Sequence, residues 1–194
     1  MNYLKITKHQ LLSLILAIIS LGYYLASELI GPAQVEAFDF DGTKIGIVFS
    51  TGYLLSAILS YVFPQIYKNF SKKIVLTIVV LLLTLSFVGI KFVPVIIGSV
   101  FIIFRIASSS IFNNLRSVYL NSIVSSKNRA TALSTFGFLY MGAYTFIAYF
   151  AGKYIEGYSI SSFTLIYGIL SIIAVILLRL LLPLRWINTD FKSK

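Results

Sequence analysis

An arginine in the middle of an apolar stretch is the residue best placed to do chemistry here. Arg105 is followed by Ser108, Ser109 and Ser110, then by Asn113, Asn114 and Arg116. At helical spacing Arg105, Ser108, Ser109, Phe112 and Arg116 fall along one face, with Asn113 beside them. A fixed cation flanked by hydroxyls and amides suits binding of an anionic or polar solute group. Charge inside a bilayer is expensive and is kept mainly for binding or coupling. The competing reading is structural, an arginine capped by nearby carbonyls and by Ser and Asn side chains. The one acid within an apolar span is Glu28, just before Gly31-Pro32. It reads as an interfacial acid facing an outer vestibule, with a proton-relay role as the alternative.

Enzymatic groups are scarce. The chain has one histidine, His9, and no cysteine, so thiol catalysis and zinc-protease chemistry lack their residues. Neither a Gly-x-Ser-x-Gly elbow nor a phosphate-binding glycine loop occurs. No metal or cofactor is expected. The net charge of +10 raises nucleic acid as a partner, but the basic residues are dispersed between apolar runs rather than gathered on a polar face. A lipid bilayer is the expected partner instead.

The elements that must position these residues follow from hydropathy. Of the 194 residues 58% are hydrophobic and only 11% charged, with mean hydropathy +0.92. A hydrocarbon core of about 30 Å takes roughly 20 apolar residues as helix. Six segments qualify: Gln10–Ile30, Thr43–Phe63, Lys73–Val93, Pro94–Leu120, Arg129–Phe150 and Ile160–Leu182. The first is too long for a signal-peptide core and lacks a clean cleavage site. The expected organisation is a tail over residues 1–9, a six-helix bundle over 10–184 and a second tail over 185–194.

Within this layout Gly31-Pro32 is expected to end the first helix, leaving Ala33–Gly42 as the longest outer loop. Pro94 is expected to open the fourth helix after a tight hairpin. Counted from Pro94, Arg105 lies about 17 Å along the helix, near the midplane. Glu28 is expected about 10 Å or more from that depth. Lys5, Lys8, Lys68, Lys72, Lys73, Arg116, Lys127, Arg129, Arg179, Arg185, Lys192 and Lys194 fall on one side, against Lys44, Lys91 and Lys153 on the other. The basic side is therefore expected to be cytoplasmic, with both termini there. Tyr23, Tyr24, Tyr61, Tyr67, Tyr154, Tyr158 and Trp186 lie near span ends, as interfacial anchors do. Small residues recur at Gly52, Ser56 and Ser60, at Gly42, Gly46 and Ser50, and at Gly137, Gly142, Ala148 and Gly152. Such rows allow helices to pack closely or to slide.

One stretch carries a resemblance. Arg116-Ser117-Val118-Tyr119-Leu120-Asn121, then Lys127-Asn128-Arg129-Ala130-Thr131-Ala132-Leu133-Ser134, resembles the tenth helix, the following cytoplasmic loop and the start of the eleventh in major facilitator superfamily transporters, particularly drug-exporter-like bacterial members. The other five spans match in order and loop length. The loop Pro64–Lys73 keeps a basic end, Lys72-Lys73, but has Lys68 and Ser71 where the superfamily often has an acid and a glycine. The resemblance implies an all-α membrane fold in a bacterial plasma membrane, corresponding to a carboxy-terminal six-helix half built of two inverted three-helix repeats. It also implies secondary active transport of a small organic solute or drug, with substrate held between two such halves. Arg105, Ser108, Ser109, Phe112 and Asn113 are then the cavity candidates, Glu28 the coupling or vestibule candidate, and Arg116, Tyr119, Asn121, Arg129 and Ser134 the loop-motif residues. A lone half would bare its cavity face, so a second half or another copy is expected. The alternatives are a non-transporting remnant or interaction subunit, and a homodimeric six-helix transporter.

Overall fold

The computed structural model describes residues 8–180. The expectations for the tails, including Arg185 and Trp186, lie outside the described residues, except that residues 8 and 9 open the first helix. All regular structure among the described residues is helical, and six spans are long and apolar enough to cross a membrane.

The first span departs from expectation. Helix α1 (Lys8–Leu25) runs through a π-helical turn, Ala26–Ile30, directly into α2 (Gly31–Ala37). Gly31-Pro32 therefore does not end the helix. Proline at position 32 has no N–H to give and its ring crowds the carbonyl one turn back. Widening the turn absorbs both problems: the Gly31 N–H reaches the Ala26 carbonyl, five residues earlier. The connection to the next helix shrinks to Phe38–Asp41, in which Asp39 adopts the left-handed conformation at φ 55°.

Asp41 then caps α3 (Gly42–Asn69), its Oδ1 accepting the Lys44 N–H at 2.9 Å. That backbone hydrogen bond holds the Asp41 carboxyl below its ordinary range, so the cap stays intact through that range and is lost only as pH falls below it. Helix α3 outruns its expected end at Phe63 and carries Pro64 within it. Ser71 caps α4 (Lys72–Val88), and a 3₁₀ turn, Gly89–Phe92, leads to Pro94. Pro94 is the residue just before α5 (Val95–Ile123) rather than its first. A short 3₁₀ turn, Ser126–Asn128, precedes α6 (Arg129–Gly157), and α7 (Ile160–Leu180) follows.

The packing has an internal symmetry. Helix α3 lies along α5 as α6 lies along α1, and α4 contacts α5 as α7 contacts α1. Helix α4 also packs on α7. Exchanging spans one to three with spans four to six maps this pattern onto itself. Three crossings reverse the chain direction, so the two units are inverted repeats, each burying its apolar face against the other.

The first span is the centre of the bundle: 56% of its apolar stretch is buried, against 11% in α3 and 6% in the span containing α6. Leu16, Ile19, Leu25 and Ile30 form the core with Val79, Leu83, Phe87 and Phe112. Gly52 marks where α3 meets α5, since a Cβ there would stand 2.9–3.1 Å from Ile106. Gly42, Gly46, Gly137, Gly142 and Gly152 instead face open space. Gly52→Leu is therefore expected to destabilise the bundle by about 1–3 kcal/mol through overpacking. Gly46→Leu is expected to leave stability within about 0.5 kcal/mol. Thermal unfolding in one detergent checks the pair, and equal losses would refute the assignment.

Candidate functional site

Arg105 is 2% exposed and is held by the first span. Its Nη1 donates to Gln34 Oε1 at 2.9 Å, and its Nη2 lies 3.4 Å from the Ala26 carbonyl in the π turn. That carbonyl already accepts the Gly31 N–H and has a second lone pair for the guanidinium. The guanidinium carbon also sits 5.7 Å from the centre of the Phe87 ring. Gly31 leaves the space for this arrangement. A Cβ there would come within 2.7 Å of the Ala26 oxygen and 3.1 Å of Arg105 Nη2. Gln34 is itself 1% exposed, and its Nε2 has no hydrogen-bond partner among the described residues.

One and two turns further along α5, Ser108 and Phe112 continue the contact with α1. Ser108 Oγ donates to the Arg105 carbonyl at 3.0 Å and shares a hydrogen bond with the Tyr23 hydroxyl at 2.8 Å. The same hydroxyl lies 3.2 Å from the Val79 carbonyl, which ties α4 into the cluster. Phe112 stacks on Tyr23 with centroids 5.2 Å apart. Arg116 completes the row: its Nη1 donates to Ser20 Oγ at 2.9 Å, and the rings of Phe112, Phe136 and Tyr140 stand 5.6–5.7 Å from its guanidinium carbon.

The remaining candidates are not gathered here. Ser109 turns back on the Ile106 carbonyl at 2.7 Å, and Asn113 is exposed. Glu28 lies in the π turn but is exposed, within electrostatic reach of Tyr144 on α6. Because the helix continues to Ala37, Glu28 is deeper than its expected position. It lies nine residues, about 14 Å, from that end, while Arg105 lies ten residues, about 15 Å, from Val95. The two share a depth, yet no ion pair joins them among the described residues. In the loop motif, Tyr119 is buried, Arg129 Nη2 reaches the Asn121 carbonyl at 3.5 Å in the last turn of α5, and Ser134 is exposed on α6. Arg129 thus places a cation against the carbonyl end of α5, where the helix dipole favours it.

Gln34 and Ser20 were not singled out by sequence reasoning; Gly31 was read only as a helix end, and Tyr23, expected as an interfacial anchor, is instead buried in the core. Gln34 reads as loop once Gly31-Pro32 is taken for a helix end. The available signal was Val35 beside it, which continues the apolar pattern past the proline.

A polar cluster enclosed by six apolar spans, with a cation held at mid-depth, marks an integral membrane protein. The sequence profile described as Major Facilitator Superfamily matches residues 12–192, nearly the whole chain, and the chain belongs to that superfamily. No curated protein and no solved structure matches the chain.

Gln34→Leu removes the shortest hydrogen bond to a buried cation and is expected to cost about 1.5–3 kcal/mol. Gly31→Val is expected to be at least as damaging, because it displaces both the guanidinium and the turn that receives it. Unfolding temperatures of the two variants in detergent check this, and wild-type values for both would refute it.

Proposed function

We propose that the chain is one half of a secondary active transporter for a small organic solute or drug, completed by a second six-helix half or by another copy of itself. The observation that carries this is the shallow packing of α3 and of the span containing α6, of whose apolar stretches only 11% and 6% is buried. Their outward faces combine open glycines with Tyr53, Tyr61, Phe138 and Phe146, and Asn113 is exposed on α5. Slim helices bearing aromatic and amide groups favour close approach by another protein surface over lipid. In this reading Asn113 and Ser109 line the cavity between halves. Arg105 acts from behind them, fixing the bulged first span while one state persists. The basic end is cytoplasmic, by the excess of lysine and arginine there.

A second reading has one observation in its favour. Arg105 is satisfied inside the bundle rather than turned to a cavity, as suits an interaction subunit that carries nothing. The two readings part on flux.

The test is the mass and activity of the assembly purified from its membrane. The transporter reading expects a twelve-helix complex whose reconstituted vesicles move a lipophilic dye, with flux lost in Arg105→Ala while assembly persists. A monomer that transports alone overturns the need for a partner, and an assembled complex without flux for any of a broad solute panel favours the interaction subunit. If Glu28 couples transport to protons, Glu28→Gln abolishes proton-driven uptake and leaves exchange intact. Unchanged pH dependence of uptake in that variant would remove Glu28 from the coupling path.

A further inference from the structure

Where α1 meets α6, five side chains form a continuous row with a charge at either end. The Arg116 guanidinium carbon stands 5.6 Å from the centre of the Tyr140 ring, and Tyr140 meets Tyr24 edge-on at 6.0 Å. Tyr24 in turn meets Tyr144, one turn beyond Tyr140 on α6, at 4.7 Å. Glu28 follows one turn beyond Tyr24 on the first span, within electrostatic reach of Tyr144. Arg116 and the three tyrosines are half-buried and Glu28 is exposed, so every member of the row presents some surface outside the core.

Both charges lie deep. Ser20, which accepts from Arg116, is twelve residues or about 18 Å from the start of the first span at Lys8, and Glu28 is about 14 Å from its far end at Ala37. Ser20 and Glu28 are eight residues, about 12 Å, apart. Ionised groups at such depth are costly unless they meet a counter-charge or line a site. Among the described residues Arg116 meets the Ser20 hydroxyl and uncharged rings, and no carboxylate pairs with it. Asn113, placed above in the cavity between halves, lies one turn of α5 from Arg116 on the same side of the helix.

These features specify an occupant. Two opposite charges held apart by three rings suit a solute that carries both signs. The tyrosine faces between them suit flat aromatic surface, and beside Glu28 they favour an organic ammonium. A metal ion would need several oxygen ligands, and no group of three acids or histidines gathers among the described residues. Resting on the half-transporter reading, we propose that this row is the substrate site and that the substrate is a dipolar aromatic solute, its ammonium on Glu28 and its anionic group on Arg116.

The test titrates the purified assembly in nanodiscs with three rigid probes and reads affinity by calorimetry. 4′-(Aminomethyl)biphenyl-4-carboxylic acid carries both charges, about 10 Å apart at standard bond lengths. Its methyl ester keeps only the cation, and 4′-methylbiphenyl-4-carboxylic acid keeps only the anion. Charge-assisted hydrogen bonds at both ends predict that the dipolar probe binds roughly tenfold or more tighter than either control. Arg116→Gln is expected to weaken the dipolar and anionic probes while leaving the ester unchanged. Glu28→Gln is expected to weaken the dipolar probe and the ester while leaving the anionic probe unchanged. A merely structural role for either residue would weaken all three probes together and would overturn the assignment. If the variants fail to fold, the wild-type order decides. Equal affinities, or no binding because a basic group of the second half meets Glu28, overturn the site. Flux separates this proposal from the reading beneath it. Dye flux without selective binding rejects the site and keeps the transporter reading. Selective binding without flux of any solute keeps the site and rejects transport.

Discussion

A guanidinium sealed among hydrocarbon side chains must find acceptors, and the rest of this bundle is arranged around that demand. Taking such a charge out of water costs several kcal/mol even after the protein relaxes. No carboxylate among the described residues meets Arg105. It is met by the Gln34 amide oxygen, by a carbonyl that a π turn leaves accessible and by the face of Phe87. Each is neutral and each is weaker than an ion pair, so all must be held in place together. This explains why the first span, which supplies both oxygen acceptors, is the most deeply packed of the six. It explains equally why a glycine stands at position 31, where a side chain would fill the guanidinium's place.

The row of contacts along α5 turns a local requirement into a rigid unit. Arg105 meets Ala26 and Gln34, Ser108 and Phe112 meet Tyr23, and Arg116 meets Ser20. Residue numbers rise on one helix as they fall on the other, as antiparallel neighbours require. Three turns of α5 are thereby fastened to α1 across the boundary between the two inverted repeats. Helices α3 and α6, by contrast, each lean on one principal neighbour within the chain. A transport cycle in this superfamily member would move that fastened pair as one body, with rearrangement concentrated where α3 and α6 meet whatever lies beyond them.

Much of the architecture was legible because hydropathy over twenty residues is a strong signal. All six spans were placed, and the periodicity of α5 correctly grouped Arg105, Ser108 and Phe112. Periodicity gives a face but not what the face meets, and that face meets α1 rather than an open cavity. The Gly31-Pro32 pair misled for a definite reason. Local rules treat it as a stop, whereas the need to bring Gln34 to Arg105 keeps the helix going through a widened turn. The glycines carried a similar ambiguity. Gly52 and Gly46 look alike in sequence, yet one touches Ile106 and the other touches nothing, because contact depends on the neighbouring helix.

The π turn has a consequence for how this segment tolerates insertion and deletion. A turn closed from residue 31 to residue 26 contains one residue more than a regular helix needs. Removing one of residues 27–30 would let the helix close regularly and would swing everything beyond it by about 100°. Gln34 would then point away from α5, and the cation would lose its amide although no residue in contact with it had been altered. The phase of the helix, more than the identity of any one side chain, is what this segment encodes.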